Sequence, residues 1–231
     1  MLRALLLDLD GTLLGNDMDQ FLKYYFGALA KSFNGLVPRQ ELVAHIMAST
    51  EKMMRDTDPS RTNQEVFWAD FLPRFQLSAG DLIPRFDRFY ASDFRKLEGY
   101  TRRKPEARAV VQKALDRGLK VVVATNPMFP VYAIVERMRW AGVADFPFDL
   151  ITSYEIMHAC KPHLQYYQEI CDVIGVKPEE AMMAGNDVQD DMVAARLGLK
   201  TFLVDEELLH REPGEPRVDH RGTLTKLAEM L

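Results

Sequence analysis

A chain of 231 residues, 47% hydrophobic and 27% charged, is long enough to bury a core and too apolar to remain disordered. Its formal net charge of −5 gives no electrostatic reason to expect binding to nucleic acid or to a membrane. Two cysteines, Cys160 and Cys171, are too few for a disulfide framework and read as reduced thiols. No stretch reaches the roughly 20 apolar residues of a membrane span, and Asp8 ends the first apolar run before it could serve as a secretory leader, so a soluble cytoplasmic protein is expected.

In chain order, residues 2–9 predict a short buried strand that ends in carboxylates and Gly11. Helical periodicity then dominates from about 17 to 97. Phe21, Leu22, Tyr25, Phe26 and Leu29 share one helix face. Leu42, Val43, Ile46 and Met47 do the same after Pro38, a residue that suits a helix start. Residues 63–75 and 82–97 predict two more helices, with Ser78 and Asp81 as a capping box. The pattern next alternates. A helix over 105–117 stops at Gly118, and 119–124 predict a buried strand. There follow a helix over 130–141, a strand near 149–152, a helix over 164–174 stopped by Gly175, a strand over 181–184, a helix over 188–197 and a strand over 199–204. Residues 205–222, with Pro213, Gly214 and Pro216, read as a loop before a terminal helix. Such βα alternation implies a parallel sheet covered by helices, interrupted after its first strand by an all-helical insert.

Four clusters fall at predicted strand ends or helix starts. Asp8 and Asp10, two apart on extended chain, point to one side, and Gly11 permits a sharp departure; two solvated acids are the commonplace alternative. Thr125 and Asn126 can cradle a phosphoryl oxygen, although a plain turn uses the same residues. Lys161 can neutralise phosphate and carboxylate charge, although most lysines are merely solvated. Gly185-Asn186-Asp187-Val188-Gln189-Asp190-Asp191 offers hard oxygen donors for magnesium, or simple helix capping.

Taken together, DLDGT at 8–12, TN at 125–126, KP at 161–162 and GNDVQDD at 185–191 resemble the motifs of the haloacid dehalogenase superfamily, over residues 1–14 and about 98–231. The resemblance implies an α/β fold with a Rossmann-like parallel sheet, helices on both faces, and an inserted helical cap at 15–97 of the C1 type. It implies a magnesium-dependent phosphatase acting on a small phosphorylated metabolite. Asp8 would be the nucleophile and Asp10 the general acid and base. Thr125, Asn126 and Lys161 would hold the phosphoryl group. Asp8, the Asp10 carbonyl and Asp187 would ligate magnesium, with Gly11 and Asp191 in support and Asp190 as an outside candidate. Two departures stand out: Asn186 occupies the place where the family more often has Asp, and Leu164 stands where a second proline is common. Dehalogenases of the family do not need an acid at Asp10, so its presence favours a phosphate ester over a haloacid. A phosphomutase would keep the same residues, whereas a non-catalytic binding module would be expected to have lost them. The five histidines, Arg39, Arg55 and Arg61 read as surface or satisfied groups, and Met47, Met53 and Met54 as core packing.

Overall fold

The computed structural model describes every residue except Asn34 and Pro216, so the loop expected at Pro216 lies outside the described residues there. The first strand, β1 (Ala4–Leu7), is fully buried. Its side chains alternate between two cores: Leu5 and Leu7 join one, Ala4 and Leu6 the other. This is why the strand reads as a continuous apolar run, as expected when both sheet faces are covered.

After β1 the chain makes a short ribbon strand, β2 (Leu14–Asn16), and then α1 (Met18–Ser32), α2 (Arg39–Arg55), α3 (Asn63–Phe71) and α4 (Ala79–Arg88). It returns through β3 (Thr101–Arg103), which pairs antiparallel with β2. The helix expected over 82–97 is instead broken. After α4 the backbone widens into a π turn over Phe89–Asp93 and tightens into a 3-10 segment over Phe94–Tyr100. In a regular α-helix, Phe89 and Phe94 would point about 140° apart. The wide turn lets both be fully buried, with ring centroids 6.0 Å apart. Phe94 also stacks on Trp140 at 5.3 Å, which packs the helical segment against the α/β part.

The rest alternates: α5 (Glu106–Asp116), β4 (Lys120–Val123), α6 (Val131–Ala141), β5 (Leu150–Ile151), α7 (Leu164–Ile174), β6 (Ala181–Gly185), β7 (Lys200–Val204), β8 (His220–Gly222) and α8 (Leu224–Met230). The six-stranded sheet runs β5-β4-β1-β6-β7-β8, and every pairing is parallel. From β1 the chain builds outward through β4 to β5, then crosses back to place β6 on the other side of β1. The order reverses at β1/β6, and in open α/β sheets ligands bind beyond the strand ends at such a point. Register makes Leu7 level with both Val123 and Ala184, so Asp8, Thr125 and Asn186 emerge beside one another.

Two further expectations are corrected. Residues 188–191 form a turn, and only a 3-10 segment over Met192–Leu197 follows. Asp187 Oδ1 accepts the N–H groups of Gln189 and Asp190, both at 2.9 Å, a local bond that competes with helix formation. The segment 205–222 is also more ordered than a loop: Leu209 bridges to Asp187, and β8 extends the sheet. Among the described residues no helix is long and apolar enough to cross a membrane.

Candidate active site

Beyond β1 the backbone closes a tight loop, with Gly11 N–H donating to Leu14 O (2.7 Å) and Leu14 N–H to Leu9 O (2.8 Å). Gly11 has φ +82°, and a Cβ there would lie 2.2 Å from the Asn186 amide nitrogen. Glycine is therefore required both for conformation and for close approach. Asn186 sits behind this loop: it accepts from Thr12 Oγ1 (3.1 Å) and donates to Glu207 O (2.8 Å). Lys104, buried on β3's return, donates to Gly11 O at 2.6 Å.

Lys161 is 2% exposed and lies between two carboxylates, donating to Asp8 Oδ1 (2.8 Å) and Asp191 Oδ1 (2.6 Å). Burial alone would lower its pKa, but the charges of Asp191 and Asp8 outweigh burial and hold the ammonium well above its usual value. The second oxygen of Asp191 accepts the Asp187 N–H at 3.0 Å. Asp8, Lys161, Asp191 and the Asp187 backbone thus form one chain of bonds. Gly185 makes room for it, since a Cβ there would lie 2.0 Å from Asp191 Oδ2.

Asp10 has both oxygens engaged: Asn16 Nδ2 donates at 2.9 Å, and the Arg137 guanidinium pairs with the other. Burial raises the Asp10 pKa, Arg137 opposes it, the Asp8 charge adds to it, and the net direction is upward. Arg137 is 1% exposed, lies over the Phe129 ring at 4.6 Å, and has one buried nitrogen, Nη2, without a partner among the described residues. Thr125 and Asn126 line the same cavity, and Thr152 Oγ1 (2.7 Å) and the Tyr166 hydroxyl (2.8 Å) fix the Thr125 carbonyl from behind. Asn126 Oδ1 is buried and unpartnered among the described residues.

Asp187 is clasped by Arg211, which donates to Oδ2 (2.5 Å) and Oδ1 (2.9 Å) and reaches Asp190 Oδ1 at 3.2 Å. Asp190, the outside candidate, lines the cavity beside Asp187.

The oxygen donors present suit magnesium in kind. Asp8 Oδ2 accepts no bond from the described residues, and Asp187 faces the same cavity. Among the described residues no group of three or more His, Cys, Asp or Glu side chains could hold a metal. A cation here would rest on two carboxylates, with carbonyl, water and phosphate oxygens completing the shell, which is how magnesium is commonly held. Arg211 would have to share or yield the Asp187 carboxylate.

Every residue singled out in the four motifs is thus gathered at one end of the sheet. Sequence reading missed Asn16, Lys104, Arg137 and Arg211. Arg137 had a signal: it interrupts the buried stripe of Ala133, Ile134, Met138 and Ala141 on α6. Arg211, in a loop, had none. The methionines divide: Met53 is in the core as expected, but Met47 and Met54 line the cavity. The histidines bind no cluster: His158 pairs with Glu169 at 2.6 Å, and His163 Nε2 donates to Met54 O at 2.9 Å. Arg55 and Arg61 pair with Glu51 and Asp56 on the surface. Burial pushes the Cys160 thiol up to about 12.

The chain is 33% identical to a phosphoserine phosphatase from Thermus thermophilus over 47% of its own length and 43% of the relative's. It spans less than half the length of this relative and of a Mycobacterium tuberculosis phosphatase. A pyrophosphatase PpaX from Bacillus cereus is 22% identical over 91% of the chain and 86% of its own length. The crystal structure of a HAD phosphatase from Thermococcus onnurineus superposes with TM-score 0.62 at 18% identity, covering 99% of this chain and 97% of that one, and so shares its fold. The sequence profile of the haloacid dehalogenase-like hydrolases matches residues 2–198, and the chain belongs to that family of enzymes.

Proposed function

We propose that the chain is a cytoplasmic, magnesium-dependent phosphatase that hydrolyses a small phosphate monoester through an aspartyl-phosphate on Asp8. The observation that carries this reading is the pairing of two unlike carboxyls in one cavity: Asp8 beside the Lys161 ammonium, and Asp10 with its pKa raised. A nucleophile must be ionised, which the neighbouring ammonium favours, and a general acid must hold a proton part of the time, which a raised Asp10 pKa favours.

In the first step one carboxylate oxygen of Asp8 attacks phosphorus, the bond from phosphorus to the ester oxygen breaks, and Asp10 gives its proton to the leaving alkoxide. In the second, Asp10 takes a proton from water, the water oxygen attacks phosphorus, and the phosphorus–Asp8 bond breaks to release inorganic phosphate. Lys161 offsets charge on Asp8 and the phosphoryl group, while Thr125 and Asn126 orient that group. Asp8, Asp187 and the Asp10 carbonyl would hold magnesium, which when bound supplies electrostatic stabilisation of the phosphoryl oxygens. Arg137 and Asn16 fix the Asp10 carboxyl. Residues 1–14 and 98–231 act as the catalytic core and 15–97 as its cap, the two connections being held together by the β2–β3 ribbon.

The test is Asp8→Asn, assayed for magnesium-dependent turnover of an aryl phosphate after circular dichroism has verified folding. Loss of at least about 10³-fold in kcat is expected for removal of a covalent nucleophile. Substantial turnover by the folded variant overturns the mechanism.

A further inference from the structure

The cavity at the motif residues has a volume of about 460 Å³ and continues under the helices. Its helical side carries Leu22, Phe26, Ile46, Met54, Phe67 and Trp68. Met47, which also lines it, is 50% exposed, so apolar surface remains open to water there. Polar groups on this side are few. The Tyr25 and Tyr90 hydroxyls bond to each other at 2.7 Å, leaving Thr50 and Gln64. Among the described residues, helices α1 to α4 contribute no Lys, Arg or His to the lining; their one charge is the carboxylate of Asp87.

Cations on the opposite side sit among the motif carboxylates, away from the helical wall, and of their buried nitrogens only Arg137 Nη2 lacks a partner among the described residues. Lys161 is bound to Asp8 and Asp191, Arg137 to Asp10, and Arg211 to Asp187 and Asp190. A substrate whose leaving group carries a second phosphate or a carboxylate into the helical side would place that charge among apolar side chains and near Asp87, with no counter-ion on that wall. A polyol would bury hydroxyls against a wall that offers few partners. Both arrangements are costly. An uncharged apolar leaving group meets no such penalty and gains from every contact.

We propose that the preferred substrate is a phosphate monoester of an uncharged, apolar alcohol, aryl or alkyl, whose body packs on the helical wall while its phosphate lies at Asp8. This rests on the phosphatase reading above and narrows it.

The experiment measures kcat/KM of the full chain with magnesium for n-alkyl phosphates from ethyl to octyl and for naphthyl phosphate, against glucose 6-phosphate, phosphoserine, phosphoglycolate and pyrophosphate. The expected result is a rise of about threefold to fourfold per added methylene until the cavity is filled. The charged and polyol compounds should fall at least about 100-fold below octyl phosphate. A flat alkyl series, or a charged or polyol compound as the best substrate, overturns the proposal while leaving the phosphatase reading intact. Calorimetric binding of octylphosphonate and methylphosphonate decides the matter independently of turnover. Tighter binding of the octyl compound supports the apolar site even if no ester is hydrolysed, which would instead fail the phosphatase reading. Equal binding overturns the site. In Met47→Lys, placed where the side chain is half in water, the octyl-to-ethyl ratio should drop at least about tenfold.

Discussion

The two sides of the cavity are held together by opposite means. On the sheet side Asp8, Asp10, Asp187, Asp191 and Lys161 are largely buried, and the four carboxylates are matched by Lys161, Arg137 and Arg211. On the helical side the contacts are among rings and aliphatic chains, such as Phe67 stacked on Phe71 at 5.2 Å and Trp68 edge-on to Phe86 at 5.4 Å. Paired charges away from water tolerate little change, because removing one partner strands the other. Apolar packing accepts changes that conserve volume. The side that carries the motif residues is therefore brittle, whereas the helical side can be altered without losing the fold.

The sharpest way to break that comparison is Lys161→Met. It leaves Asp8 and Asp191 buried without their shared cation, so stability in urea should fall by about 3–5 kcal/mol, and turnover should fall with it. A loss below about 1 kcal/mol would show that the sheet side is not held by this ion-pair chain.

A smaller effect is expected where a charge belongs to the helical part alone. Asp70 joins α2 to the end of α3, accepting from Ser49 (2.8 Å), Lys52 (3.0 Å) and Arg74 (2.8 Å). Burial pushes its pKa up, but the hydrogen bonds from Lys52, Ser49 and Arg74 outweigh burial and hold it at about 2. A folded pKa below the unfolded value of about 3.9 means the ionised form favours the fold. That stabilisation is complete above the unfolded pKa and disappears as pH falls through the folded one. Asp70→Asn should cost about 1–2 kcal/mol at neutral pH, and the gap between variant and wild type should close as the urea midpoint is followed down to about pH 2. A gap independent of pH would show that the side chain acts by shape.

The smallest effect should come from Met54→Leu on the cavity wall. A swap of nearly equal volume should cost less than about 1.5 kcal/mol and leave the folding transition cooperative. A larger loss would mean that the wall is as finely fitted as the ionic side.

Legibility in the sequence followed the same divide between local and assembled features. Strands β1, β4 and β6 announce themselves because both faces are covered, and glycines with positive φ at 118, 175 and 198 mark the element ends. The β2–β3 ribbon does not, since its three-residue strands lack an apolar pattern and its partners lie far apart in the chain. In the cavity the strand-end acids were readable from their neighbours in sequence. Asn16, Lys104, Arg137 and Arg211 arrive from other elements, and only tertiary packing brings them to Asp10, Gly11 and Asp187.

The start of α3 has a bearing on how firmly the helical part is held. Helix starts leave N–H groups without partners in their own turn. Here Asn63 donates its N–H to Met157 O and Gln64 to Tyr154 O, both at 2.8 Å, while the Asn63 amide reaches Ala159 O at 3.3 Å. This end of the helical wall is stitched to the backbone of the sheet side. Held by bonds that reach outside its own helix, the Asn63 amide proton should be among the slowest of the helical part to exchange with solvent.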